Sequence, residues 1–399
     1  MRQSFEKIKF LIGSAESLER MAEVPSKTPF DDEICEFLNS LSKALLTSPK
    51  NRMYPAVTAF GFFLRKGSIG LLKQRFLKAG EYRLGRGMSF HIAPSNVPVN
   101  FAYSLAAGLL AGNPNVVRVP SKEFPEIDLI AEAMRATLEA YEGLKNMISL
   151  VRYERDREIN DDLSGLCANR IIWGGDSTIE EIRKSPLAPR AKEICFADRY
   201  SFAVIDTKAY LDMDPKRVAE SFYNDTYLSD QNACSSPRVI CWTGNEEAYA
   251  KKLFWDSLHE FLKQKFELQS VKAVDKLSSL CLVGASFPEA KPRFVAMQDN
   301  LITRVELKKL PMGLMQRLEN SGFFFEYSFM DILELKTLCL DKRCQTIGYI
   351  GDKRMFMPLL ASGIGGVDRI VPIGKTMDFD LYWDGYDLIN ELSRNISVS

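Results

Sequence analysis

An α/β protein of two parallel-sheet lobes, with a helical lead-in, is predicted from three observations. Short apolar runs alternate with amphipathic segments from about residue 88, the same alternation restarts near residue 200, and 399 residues exceed what one core usually organises. Strand, helix and strand at this spacing give a parallel sheet wrapped by helices, because a parallel neighbour needs a long crossover.

The elements follow in order. Residues 1–80 mix helical patterns with polar breaks; over 31–46, Ile34, Phe37, Leu38, Leu41 and Leu45 recur at helical spacing. In the first lobe, strands are predicted over 88–93, 115–119, 147–151 and 170–173. Helices are predicted over 97–111, stopped by Gly112-Asn113, over 124–141, and from an opening at Gly175-Asp176-Ser177. The second lobe offers a strand at 202–205, a helix at 214–227, a polar loop, a strand at 239–242 and a long helix at 246–266. Strands at 293–296 and 346–350 and a helix around 354–361 complete it. The expected boundaries are 1–200 for the lead-in and a dinucleotide-binding domain, 201–372 for a catalytic domain, and 373–399 for a closing segment. That segment, with Phe379, Leu381, Tyr382, Trp383 and Tyr386, is suited either to packing back on the first domain or to an oligomer interface.

Composition narrows the function. With 52 basic and 52 acidic residues there is no net charge, so no broad nucleic-acid footprint is expected. Eight cysteines are scattered without a CxxC pair and no secretory signal precedes them, which fits reduced thiols in a cytoplasm. Apolar stretches are broken well short of the ~20 residues a membrane span needs. Two histidines, His91 and His259, leave little for a zinc site or a histidine-based triad, and no metal is expected.

The loop Leu228-Ser229-Asp230-Gln231-Asn232-Ala233-Cys234-Ser235-Ser236-Pro237-Arg238 is small and polar and presents a cysteine between a helix and a strand. Cys234 is a candidate nucleophile there; the alternative is a buried thiol acting as a small hydrophobe. Arg238 is either a cation that favours the thiolate or a loop anchor. Asn96, between the strand at 88–93 and a helix holding Pro98, serves either as a helix cap or as an amide donor to an oxyanion. Gly174, Gly175 and Ser177 open a helix after a strand, where unpaired N–H groups favour a pyrophosphate. Ser121 and Lys122, at another strand end, suit a ribose or phosphate, or a solvated turn.

In order and spacing these pieces resemble the aldehyde dehydrogenase superfamily over roughly residues 88–375. The corresponding segments are Ser95-Asn96-Val97-Pro98, Ala111-Gly112-Asn113 with Val116 to Pro120, Gly174-Gly175-Asp176, and Cys234. The wording is similar to the LuxC-type acyl-CoA reductases within it, through His91 to Asn96, Gln231-Asn232-Ala233-Cys234-Ser235-Ser236-Pro237, and Asp368-Arg369-Ile370-Val371-Pro372-Ile373-Gly374 with Phe379-Asp380-Leu381-Tyr382-Trp383-Asp384-Gly385. The resemblance implies an aldehyde dehydrogenase-like fold with a cofactor-binding and a catalytic lobe. It implies Cys234 as the nucleophile, with Asn96 and the Cys234 N–H holding the oxyanion. Gly174, Gly175, Ser177, Ser121 and Lys122 would touch NADPH or NADH. The implied substrate is an acyl-CoA or another acyl thioester, with an acyl-activating partner protein and a homo-oligomer expected.

Two departures from that pattern matter. The family's hydrolytic members carry Glu-Leu-Gly-Gly-Lys, whose Glu activates water, whereas Phe196 falls at that place here, with Glu193 nearby. Val119 stands where a ribose-holding lysine is usual. The rival expectations are an oxidative aldehyde dehydrogenase releasing free acid and a non-catalytic acyl-binding relative.

Overall fold

The apolar stripe of the lead-in forms the helix Asp32–Thr47, which starts where the Asp31 carboxylate accepts a bond from Ile34 N (3.3 Å). Its buried face carries Ile34, Phe37, Leu38, Leu41 and Leu45 into a core shared with the helices Asn100–Leu110 and Pro125–Leu138. The computed structural model describes residues 2–78, 80–295, 299–317 and 319–398. It divides into two units: Met1–Ala197 with Phe379–Ser399, and Asp198–Asp378.

In the first unit the strands are β1 (Lys9–Ile12), β2 (Tyr82–Gly85), β3 (Ser89–Ile92), β4 (Asn115–Arg118), β5 (Ile148–Arg152), β6 (Asn169–Trp173) and β7 (Lys192–Phe196). Among the described residues six of them form one sheet in the order β1-β5-β4-β3-β6-β7, with β1 antiparallel at its edge and the rest parallel. The lead-in is therefore not wholly helical; four residues, mostly half-exposed, are too few to show a strand period. β2 instead pairs antiparallel with Ser393–Ile396. The closing segment packs on this unit. Phe379 lies 4.9 Å from the Tyr103 ring, Tyr382 4.5 Å from Phe76 and Tyr386 5.6 Å from Phe196, while Leu381, Leu388, Ile389 and Leu392 join the core.

The second unit contains β8 (Tyr200–Asp206), β9 (Pro237–Thr243), β10 (Arg293–Val295), β11 (Thr303–Leu307), β12 (Phe323–Ser328), β13 (Cys344–Ile350) and β14 (Arg369–Pro372). They form a sheet ordered β10-β11-β12-β9-β8-β13-β14, parallel except for β10. Of the strand predicted over 293–296, Ala296 lies outside the described residues. The helix Ser270–Ser286 has no counterpart in the sequence reading. In this core Glu326 is completely buried, accepting from the indoles of Trp242 (2.9 Å) and Trp255 (2.8 Å) and from Arg304 (2.7 Å). Among the described residues, no helix is long and apolar enough to cross a membrane, and no three His, Cys, Asp or Glu side chains are grouped to hold a metal.

Candidate active site

In the first unit β3 is where the winding reverses: the chain steps from β3 to β4 to β5 on one side, then crosses to β6 and β7 on the other. Their carboxyl ends share one edge, and in open sheets of this kind that edge, at the reversal, forms the ligand crevice. Asn96 follows β3, Ser121 and Lys122 follow β4, and Gly174, Gly175 and Ser177 follow β6, so the fold brings these residues to the same edge. Ser121, Lys122 and Ser177 are exposed, with the Lys122 ammonium 5.0 Å from the Phe124 ring. Gly175 is the N-cap of the helix Asp176–Arg183. A Cβ at Gly174 would come within 3.1 Å of the Thr178 side chain, so this turn stays close to its helix. A small-residue turn opening a helix suits a pyrophosphate there.

The helix after β3 begins later than predicted, at Asn100, with Val99 as its N-cap and no side-chain cap. Val97 to Val99 form a turn closed by the bond from Asn100 N to Val97 O (3.1 Å). Asn96 is therefore not the helix cap; it is exposed on the loop ahead of that turn. His91 is fully buried: Asn115 Nδ2 donates to Asn113 O (2.5 Å), so Asn115 Oδ1 accepts from His91 Nε2 (2.9 Å) and Nδ1 accepts from Ser104 Oγ (2.7 Å). Burial lowers its pKa to about 4, despite the Asn115 bond, so this histidine is neutral and structural.

Sequence reasoning overlooked Arg152, the last residue of β5. Its Nε donates to Pro120 O (3.1 Å), Nη1 lies 3.6 Å from the exposed Glu123 carboxylate, and the buried Nη2 has no hydrogen-bond partner among the described residues. A charged residue closing a mostly apolar strand is the one signal that could have found it.

Phe196 is buried at the end of β7, stacked on Trp173 with ring centroids 3.6 Å apart. Glu193 is bound by Arg170 (2.5 Å) and Arg183 (2.7 Å). Burial works against its ionisation, yet these two bonds prevail and hold its carboxyl below the usual value. A carboxylate so engaged is a poor proton acceptor.

Cys234 belongs to the second unit, half-buried in the turn ahead of β9, at the amino edge of that sheet. Beginnings of neighbouring strands tie this loop down. Thr346 N donates to Ser201 Oγ (3.2 Å), which donates to Cys234 O (2.8 Å). The buried Gln231 side chain accepts from Gly322 N (2.7 Å) and Phe323 N (3.2 Å) and donates to Pro237 O (3.3 Å). Asp230 and Gln231 adopt φ values of 50° and 54°, a left-handed pair that these bonds stabilise. Arg238 donates to Gln231 O (2.5 Å), so it anchors the loop. Burial lowers its pKa, while attraction to Cys234, Glu319 and Asp230 opposes that, so the cation also lies within Coulombic reach of the thiol.

Behind the loop, Ser235 Oγ and Ser236 Oγ lie 3.3 and 3.8 Å from Met377 Sδ. The turn before Met377 is held by the buried Asp225, which accepts from Gly374 N (2.5 Å) and Thr376 N (3.1 Å). Burial outweighs these bonds and pushes the Asp225 pKa from 3.8 up to about 7. Because the folded value is the higher one, its stabilising contribution is complete below pH 3.8 and is lost as pH rises through 7. Between pH 5 and 8 the wild type should lose about 2 kcal/mol more stability than Asp225→Asn, whose side chain does not titrate. Urea unfolding of both proteins at the two pH values measures this; parallel pH trends would refute it.

The first unit thus carries the crevice edge of a doubly wound sheet, and the second a tethered cysteine turn. The fold is that of the aldehyde dehydrogenases. A 1-pyrroline-5-carboxylate dehydrogenase from Thermus, solved with bound NAD, superposes with a TM-score of 0.63 over 96% of this chain and 83% of its own, at 13% identity. A family model described as acyl-CoA reductase (LuxC) matches residues 73–271. That match makes the chain similar to the LuxC-type acyl-CoA reductases. It is similar to the long-chain acyl-protein thioester reductase of Vibrio harveyi, 22% identical over 60% of this chain and 45% of that protein. The enzyme of the same name from Aliivibrio fischeri is 22% identical over 84% of this chain and 68% of its own length. The chain therefore spans about half to two-thirds of the length of these relatives.

Proposed function

We propose that this protein reduces an acyl thioester, with a fatty acyl group carried on coenzyme A or on a protein, to the aldehyde at the expense of NADPH or NADH. The observation that carries the reading is the pairing of a half-buried cysteine in a loop fixed by its own backbone with the lack of an available carboxylate at Phe196 and Glu193. The relatives' names support the reaction class, and NAD in the Thermus structure supports a nicotinamide cofactor.

In this reading the Cys234 thiolate attacks the thioester carbonyl, forming a new C–S bond, while the carrier thiol leaves with its electron pair. Asn96 supplies a side-chain amide, and Cys234 its own N–H, to the oxyanion. Arg238 favours the thiolate. Gly174, Gly175, Ser177, Ser121 and Lys122 would hold the dinucleotide, which would supply a hydride to the acyl carbon; the C–S bond to Cys234 then breaks, releasing the aldehyde and returning the thiolate. With Phe196 in place of a carboxylate and Glu193 held by Arg170 and Arg183, these positions would not activate water to release free acid.

Purified protein is incubated with acyl-CoA esters of several chain lengths and either reduced nicotinamide, following cofactor oxidation, thiol release and product together. Equal amounts of oxidised cofactor, thiol and aldehyde are expected. A free acid as product would instead establish the hydrolytic rival. No reaction with any ester, or with an acylated carrier protein, would leave a binding role.

A further inference from the structure

We infer that Lys276 is a positioning residue for Cys234, fixing from behind the turn that grips the cysteine loop; the inference rests on the reading of Cys234 as the nucleophile. β11, β12 and β9 are parallel neighbours, so the chain ahead of each meets on one edge of the second sheet. The cysteine loop runs into β9, and Asn320 to Gly322 run into β12. Side chains and backbone join them. Asn320 Nδ2 donates to Asn232 Oδ1 (2.9 Å), Ser321 Oγ to Asp230 Oδ2 (2.9 Å), and the N–H groups of Gly322 (2.7 Å) and Phe323 (3.2 Å) to Gln231 Oε1. Consecutive residues of one turn thus hold Asp230, Gln231 and Asn232, just ahead of Cys234.

That turn needs support of its own. Ser321 and Gly322 take φ values of 57° and 84°, and a serine stays in this left-handed region where neighbouring bonds keep it there. Lys276, buried on the helix Ser270–Ser286, supplies such a bond: its Nζ donates to the Ser321 carbonyl (2.8 Å) and to the carbonyl of Asn300, ahead of β11. One ammonium therefore bridges the amino ends of two strands. Ser279, on the same helix, adds a bond to Glu319 Oε2 (2.7 Å). Burial pushes the Lys276 pKa from 10.5 down to about 8, against attraction to Asp230, Asp299 and Glu319, so a cation here carries a desolvation cost that a methionine would not. Packing alone does not explain a lysine. The bonds it makes do, and they lead to the nucleophile: Ser321 accepts from Lys276 through its carbonyl and donates to Asp230 through its hydroxyl. Attack on a thioester needs the sulfur placed to within about 0.5 Å, so a slack loop lowers the rate of acylation without altering the acidity of the thiol.

The test mixes the protein with the acyl-CoA ester that acylates the wild type fastest, without nicotinamide, and follows by peptide mass spectrometry the rate at which Cys234 gains the acyl group. In parallel, the rate at which iodoacetamide alkylates Cys234 is measured against pH, and urea unfolding records stability. Lys276→Met should slow acylation about ten-fold or more and leave the midpoint of the alkylation profile within about half a pH unit of the wild type. Ser321→Ala, which removes the hydroxyl bond to Asp230, should slow acylation in the same way. The double variant should lose less than the product of the two single losses, because both act on one turn. A lowered urea midpoint with wild-type acylation in Lys276→Met would make the lysine a support of the fold alone and overturn the inference. A raised alkylation midpoint would make it an electrostatic partner of the thiol and overturn it equally. If Lys276→Met does not fold, Ser321→Ala decides, and an unchanged acylation rate there overturns the inference while Cys234 remains the nucleophile. A wild type that is acylated at another cysteine, or by no ester, overturns the inference together with the reading on which it rests.

Discussion

Cys234→Ala is expected to abolish both thiol release and cofactor oxidation, lowering turnover at least about a thousand-fold, because a methyl group forms no thioester. The loop should survive the change. Its tethers run to backbone and neighbouring atoms: Ser201 Oγ holds the carbonyl of residue 234, Gln231 holds the start of β12, and Arg238 holds Gln231. The variant should therefore unfold at the wild-type urea concentration and bind reduced nicotinamide as the wild type does. Mass spectrometry of the protein mixed with acyl-CoA alone gives an independent view, since only the wild type should gain an acyl group. Turnover within ten-fold of wild type in the variant, or acylation at another cysteine, would remove Cys234 from the reaction.

The largest stability effect should come from Glu326→Ala. Its carboxylate accepts from two indole N–H groups and from Arg304, itself nearly buried, so deletion strands two indole donors and a cation away from water. A loss of about 3–5 kcal/mol is expected, read as a lowered urea midpoint at unchanged slope. Arg304 also has Glu306 at 3.9 Å, which softens the loss without replacing the bonds. A second variant separates charge from packing. Adding Arg304→Met to Glu326→Ala should recover part of the deficit, because the stranded cation is removed. A single variant with a wild-type midpoint would show that water reaches this group.

The alternation that predicted two parallel sheets was legible because central strands such as β8 are buried on both faces and carry an unbroken apolar run, Phe202 to Ile205. Elements that carry charge in the wrong place were not. β12 interrupts its aromatic run with Glu326, and the helix Ser270–Ser286 buries Lys276 while exposing Val271, Val274 and Leu277, so its pattern is inverted. Lys276 is tolerated inside because it donates to the carbonyls of Asn300 and Ser321 (2.8 Å for the latter). The candidate site divides in the same way. Small polar residues around Cys234 mark a turn in any sequence, but its tethers come from Ser201, Gly322 and Thr346, which sequence distance conceals. Pro98 suggested an early helix start, and local turn bonding at Val97 to Val99 deferred it, leaving Asn96 outside the helix.

The closing segment has a consequence for how the chain is made. Leu381, Leu388, Ile389 and Leu392 fill the core of the unit whose sheet comes from residues 9–196, and Ser393–Ile396 is the sole ladder partner of β2 among the described residues. On the ribosome, the strands of the first unit emerge early yet wait for Leu381 to Ile396 before their core is filled. Everything needed by the intervening unit, Asp198–Asp378, has emerged by then. The order of synthesis is thus the reverse of the order of completion: the unit begun first is finished last.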